Sequence, residues 1–158
     1  MWWVITVVAV VVLVATYLTW LAARVDRLHA RAVAAYATLD AHLLRRAVVA
    51  VSLAEAAQLP TLVYAARIAV DAQPEDREVA ENDLTRHLRD AHEDAAVPEP
   101  ELSGLVQVSR RVALARQVHN DVVRDALAVR RRLLVRLFRL ARKHPRPAYF
   151  DVDDPSLS

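Results

Sequence analysis

The chain has no cysteine, one glycine (Gly104) and, among 21 basic residues, one lysine (Lys143). Without cysteine it can form no disulfide, thiolate nucleophile or thiolate metal site. A cysteine-free chain suits either side of a membrane, so the compartment is left open. One glycine excludes a Gly-rich phosphate loop and a Gly-x-Ser-x-Gly nucleophile elbow, since both need several glycines to bring backbone close to the ligand. Sparse glycine with abundant Ala, Val, Leu and Arg points away from sheets and toward helices. The excess of arginine over lysine reads as the codon usage of a GC-rich genome rather than chemistry. His29, His42, His87, His92 and His144 are scattered, and none completes the i, i+4 His pair or the repeated Glu-x-x-His of a di-metal bundle. No cofactor, metal or enzymatic activity is therefore expected.

Charge is also missing from the opening stretch. Residues 2–23, WWVITVVAVVVLVATYLTWLAA, hold no ionisable group except the Tyr17 phenol. A helix of this length rises about 33 Å, enough to cross a hydrocarbon core of about 30 Å. It satisfies its own backbone hydrogen bonds, which lipid cannot do. Trp2, Trp3, Tyr17 and Trp20 lie near the two ends, where amphipathic rings favour the headgroup region. A cleaved signal peptide is the rival reading, but it calls for a basic start and a shorter apolar core. Arg24, Arg27 and Arg31 follow the stretch, opposed by Asp26 alone. The positive-inside rule then puts everything after residue 23 in the cytoplasm and the N-terminus outside, as a single-pass cell-membrane protein.

The remaining residues are long enough for one domain with its own core. Residues 24–57 read as a helix continuing from the anchor, with apolar positions at Val25, Leu28, Ala32, Ala35, Leu39, Leu43, Ala50, Ala54 and Ala57. Pro60 breaks it. Thr61–Ala72 is a short apolar helix expected to be largely buried. A third helix runs from about Pro74 to Ala95 with the stripe Ala80, Leu84, Leu88 and Ala91. Val97-Pro98-Glu99-Pro100 reads as a turn. The last helix, about Glu101 to His144, carries a heptad-like seam from Leu105 through Val108, Val112, Ala115, His119, Val122, Ala126, Val129 and Leu133 to Arg136 and Leu140. Leu114, Val118, Leu134 and Leu137 are expected to widen it. The fold class is all-α: an N-terminal transmembrane helix (1–23), then an antiparallel four-helix bundle (24–147) with long first and last helices, then an acidic tail (148–158). The tail is expected to be loose beyond Tyr149 and Phe150. If Pro60 only kinks the first helix, there are three helices instead.

Charge is laid out along the chain. From Asp71 to Glu101 there are eleven acids against Arg77, Arg86 and Arg89; from Ala126 to Phe150 there are eight bases and no acid. In up-down-up-down order the last helix returns toward the bilayer. A membrane-surface basic patch then gathers Arg24, Arg27, Arg31, Arg130, Arg131, Arg132, Arg136, Arg139, Arg142, Lys143 and Arg146 against anionic headgroups of the lipid bilayer, each base contributing about 1 kcal/mol. The plainer reading is a solvated face balancing the acidic third helix. Nucleic acid ranks third, since charge alone suggests it and no aromatic platform or reading helix supports it. Arg45, Arg116, His119, Asn120 and Asp121 form a candidate polar layer, read first as a device fixing helix register and second as a regulatory or ligand-binding site.

Residues 110–154 resemble the C-terminal helix of the LemA family. The likeness rests on an Arg-x-x-Tyr/His-Asn-Asp-x-Val core at Arg116, His119, Asn120, Asp121 and Val123, and on the closing pair Tyr149-Phe150. Residues 24–46 resemble the family's first helix through Leu39, Asp40, Leu43, Arg45 and Arg46, and Ala80–Leu84 resembles its third. The family's usual Asp-Leu-Ile-Pro-Asn-Leu segment is absent, replaced by Ala47–Ser52. The resemblance implies a single N-terminal membrane helix and a cytoplasmic helical bundle, with no established activity. The expectation is a non-enzymatic membrane protein whose bundle is an interaction or scaffolding module for an unknown protein partner or a homo-oligomer.

Overall fold

A computed structural model describes residues 1–93 and 99–153, and among them every regular element is helical. In order these are α1 (Trp2–Ala56), α2 (Pro60–Asp71), α3 (Arg77–Glu93), α4 (Glu99–Arg130) and α5 (Leu133–Leu137). α1 passes from the apolar stretch into the charged half without a break, because no Pro or Gly interrupts it. It is long and apolar enough to cross a membrane. Its threonine hydroxyls bond back along the helix, Thr6 to the Trp2 carbonyl at 3.1 Å and Thr16 to that of Val12 at 2.9 Å.

α1 ends in a left-handed residue, Gln58, at φ 57°. The Leu59 N–H donates to the Ala54 carbonyl at 2.9 Å and the Gln58 N–H to that of Glu55 at 3.2 Å, a Schellman closure. Pro60, which has no N–H to satisfy, then opens α2 as a separate helix rather than kinking α1.

The chain divides into two compact units. One comprises Met1–Ala34 with Asp121–Ala148, the other Ala35–Asn120 with the tail from Tyr149. The second has an alanine-rich core: Ala47, Ala50, Leu53 and Ala54 of α1, Leu62, Ala66 and Ala69 of α2, Ala80, Leu84, Leu88 and Ala91 of α3, and Leu105 and Val108 of α4. Small side chains let helix axes approach closely. The whole expected stripe of the third helix is buried. α2 buries one face only, leaving Tyr64 and Ile68 exposed, so it is less enclosed than its composition suggests. A second cluster joins Leu39, Leu43 and Val112 to Phe150 and Val152 of the tail.

In the first unit, Leu21 and Val25 pack with Val129 and Val135, flanked by Leu28, Leu140 and Ala141. Leu21 is the one buried residue of 2–23.

Several boundaries differ from the sequence reading. α3 begins at Arg77, after a turn at Pro74–Asp76. Val97 and Pro98 of the expected turn lie outside the described residues, while Glu99 and Pro100 open α4. The largest difference is at the end of the chain. The seam is buried at Leu105, Val108, Val112, His119, Ala126 and Val129 and half-buried at Ala115 and Val122, but the helix stops at Arg130 instead of His144. The Arg130 guanidinium donates to the carbonyls of Ala141 (2.8 Å), His144 (2.5 Å) and Pro145 (2.7 Å). Those acceptors come within reach only if the chain turns back. α5 follows, closed by a second Schellman turn with Arg139 at φ 52° and the Leu140 N–H on the Val135 carbonyl at 3.0 Å. Leu114, Val118, Leu133, Leu134 and Leu137 are exposed, and Val123, Leu127 and Val135 take the buried positions. The tail is docked through Asp153, further than expected.

A side chain with Cβ costs about 1–2 kcal/mol in the left-handed region, most when β-branched. Gln58→Val is expected to lower stability by about that amount and Gln58→Gly to leave it equal or raise it by up to about 1 kcal/mol, in thermal melts of the full-length chain in mild detergent. Equal melts for Val and Gly would show that this turn is not the helix stop.

Candidate functional site

The polar layer holds the chain's own tail. On α4 the Asn120 side chain binds both backbone groups of one residue: its Nδ2 donates to the Phe150 carbonyl at 3.2 Å, and its Oδ1 accepts the Phe150 N–H at 2.9 Å. One turn earlier, Arg116 donates to the Val152 carbonyl. From α3, Glu78 accepts the Asp151 N–H at 3.0 Å and Asn82 accepts the Asp153 N–H at 2.8 Å. Successive side chains of an extended segment face opposite ways. Phe150 and Val152 are accordingly buried, and Asp151 and Asp153 are exposed. Tyr36 lies edge-on to both the buried His119 ring, at 5.7 Å between centroids, and Phe150, at 6.4 Å.

Arg116, His119 and Asn120 lie together along α4, with Arg116 and Asn120 reaching the tail. Arg45 and Asp121 do not join them. Arg45 is exposed, because one residue along a helix is a rotation of about 100° and the inward position falls to Arg46. Asp121 pairs with Arg124 at 2.8 Å on the surface, three residues along the same helix face.

A second polar group was not singled out from the sequence. Arg46 and Glu81 are both fully buried and 2.5 Å apart. Arg46 Nη2 also donates to Thr85 Oγ1 at 3.0 Å, and that hydroxyl donates to the Glu81 carbonyl at 2.7 Å. Arg46 Nε and Nη1 and Glu81 Oε1 have no hydrogen-bond partner among the described residues. Burial raises the Glu81 carboxyl above its usual range, and Arg46 only partly opposes this. Next to the pair, Arg77 donates to the Ala69 carbonyl at 2.7 Å and lies 3.2 Å from Asp40. Burial first, then Asp40, raises the Tyr36 phenol. The signal was there to read: Arg46 lies three residues after Leu43 and four before Ala50, on the core stripe.

The residues of the expected basic patch lie in the first unit. An open cleft of about 460 Å³ is lined by Arg24, Arg27, Arg31 and Arg132, with Leu28, Ala128, Val129 and one acid, Asp125. Arg24 lies over the Trp20 ring at 5.8 Å. Arg130 is half-buried, and its two Nη groups donate to the three carbonyls named above. Arg131, Arg136, Arg139, Arg142, Lys143 and Arg146 are exposed. Below Arg130 the His144 and His29 rings stack at 4.2 Å, and His144 Nε2 is 2.8 Å from Asp26 Oδ1. The His144 hydrogen bond holds the Asp26 carboxyl below its ordinary range. Burial, then the neighbouring His144 and Arg130, lowers His29 below its ordinary 6.5.

Compared with protein-family models, curated proteins and solved structures, the chain matches none.

Two outcomes follow from this geometry. Arg46→Met leaves a buried carboxylate alone and is expected to cost about 3–5 kcal/mol, whereas Arg46→Met with Glu81→Leu returns the melt to within about 1 kcal/mol of the parent or above it. Glu81 has a raised pKa, so the cost of the single variant should shrink as pH falls through that pKa. Additive losses in the double variant would refute the account. His29 is expected to titrate below 6.5 by NMR of the ring protons, and to rise toward 6.5 in His144→Ala. The sign for stability follows: the unfolded chain takes up this proton first, so the His29 contribution is complete above 6.5 and is lost as pH falls. A His29 midpoint at or above the ordinary value would contradict the burial.

Proposed function

We propose that this is a non-enzymatic, single-pass membrane protein of LemA-like type, N-terminus outside, whose cytoplasmic antiparallel four-helix bundle serves as an interaction or scaffolding module. The observation that carries the reading is the exposure of the apolar stretch. Ile5, Val8, Val11, Val12 and Leu13 are each more than half exposed, uncovered by any surface among the described residues. A bare apolar cylinder about 30 Å long is stable in lipid and not in water. The arginines at its carboxyl end support an inner-face orientation, and the cleft of Arg24, Arg27, Arg31 and Arg132 suits anionic headgroups. The alternative, a regulatory or ligand site around His119, Asn120 and Asp121, loses support because Asn120 and Arg116 hold the tail backbone and Asp121 faces Arg124.

Full-length protein is expected to stay in membranes through alkaline carbonate extraction. Protease added outside intact cells should spare everything after residue 23, while inside-out vesicles should lose the bundle. Crosslinking in membranes followed by copurification in mild detergent should recover a specific protein or a second copy. A soluble product lacking the opening stretch, or digestion of the bundle from outside, would refute the topology. Repeated recovery of monomer alone would refute the module.

A further inference from the structure

We propose that α5 is a second membrane-contacting element, a short wedge whose Leu133, Leu137 and Phe138 side chains enter the lipid interface beside the anchor. The proposal rests on the reading that residues 2–23 span lipid.

Three observations converge. The first is exposure. Leu133 is 80% exposed, Leu137 74%, Phe138 48% and Leu134 38%, within a run of six residues in which only Val135 is buried. Elsewhere among the described residues after 23 the large exposed apolar side chains stand singly or as i, i+4 pairs (Leu44/Val48, Tyr64/Ile68, Leu114/Val118), whereas here four fall within six consecutive positions. A contiguous run calls for a partner.

The second is position. Val135, the buried residue of α5, belongs to the cluster that holds Leu21 and Val25. Leu21 is in the last turn of the apolar stretch and Val25 just past it. An element packed at that level of α1 lies where the hydrocarbon gives way to headgroups. Val135 faces the anchor helix, and the rest of α5 is left to face the lipid around it.

The third is chemistry. Arg131, Arg132, Arg136 and Arg139 flank the apolar residues and are exposed. Exposed leucines and a phenylalanine interspersed with exposed arginines give this segment the composition of a membrane interface, where long basic side chains reach back to the phosphates. The same charges decide between occupants. A second copy would bring four like guanidiniums against these four across a two-fold contact, whereas anionic headgroups complement them.

The absence of cysteine gives a clean test. Full-length Leu133→Cys and Leu137→Cys are labelled with an environment-sensitive fluorophore and reconstituted in phosphatidylcholine–phosphatidylglycerol nanodiscs carrying nitroxide lipid. Val11→Cys reports the anchor, and Leu114→Cys, exposed on α4 in the other unit, reports water. All four positions are exposed, so the core is undisturbed. The labels at 133 and 137 should be blue-shifted and quenched at least twofold by the nitroxide, as at 11, with the label at 114 unaffected. If 11 is quenched while 133 and 137 behave like 114, the wedge is wrong and the span stands. If 11 is not quenched either, the spanning reading fails and the wedge fails with it. Shielding at 133 and 137 without nitroxide quenching, together with crosslinking between copies through those cysteines, would overturn the proposal in favour of self-association.

Discussion

The Arg130 guanidinium sets the course of the chain that follows it. Its surroundings, RRRLLVRLFRLARK, are rich in strong helix formers, so the local preference is to continue. Three carbonyls, at Ala141, His144 and Pro145, outweigh that preference. Each charge-assisted bond contributes about 1.5–3 kcal/mol, against a few tenths per residue for helix propensity. The consequences reach well past one turn. Val135 is brought to Leu21 and Val25, Leu133 and Leu137 are left outside, and His144 is set between His29 and Asp26.

This explains where periodicity reads correctly and where it does not. Leu39, Leu43, Leu84, Leu88, Leu105 and Val112 are buried as their three- and four-residue steps require, because a helix that packs on one face has no other way to hide them. The steps go on through Leu133, Arg136 and Leu140 with the same regularity, and there they mislead. A repeat reports which residues would share a face if the helix continued. It cannot report acceptors that come within reach of Arg130 only after the chain has turned. Arg45 and Arg46 show a milder version of the same problem. The pair was legible as polar material on the first helix, but choosing between neighbours about 100° apart needs the register of the stripe, which runs through Arg46. The tail was legible as an aromatic pair able to dock. Its hold on Glu78 and Asn82 was not, because those bonds go to backbone N–H groups that every sequence possesses.

The Arg46–Glu81 pair answers a different requirement. The core around it combines alanines of α1 and α2 with the leucines of α3. Runs of alanine pack closely but define register poorly, since along α1 a slide from Ala47 to Ala50 replaces alanine by alanine. A buried charge pair adds little net stability, and here the raised Glu81 carboxyl and the unpartnered nitrogens of Arg46 mark the cost directly. What the pair does supply is a penalty on the wrong alignment. Displacing α3 by one turn would leave two charges unpaired in an apolar core.

Where polar groups are already engaged, little chemistry is left for a ligand. Asn120 holds both backbone groups of Phe150, Arg116 holds Val152, and Arg130 holds three carbonyls. The side chains that look most chemical in the sequence therefore serve the fold. Among the side chains that still face outward in the first unit, exposed arginines and exposed apolar residues lie together. Arg24, Arg27, Arg31 and Arg132 share one cleft, while Leu133, Leu137 and Phe138 project from α5. Cationic and apolar groups side by side match a boundary between anionic headgroups and hydrocarbon better than they match water, a protein core or a polar substrate. On the proposed reading that residues 2–23 span lipid, these arginines and the exposed residues of α5 would meet the boundary where that span ends.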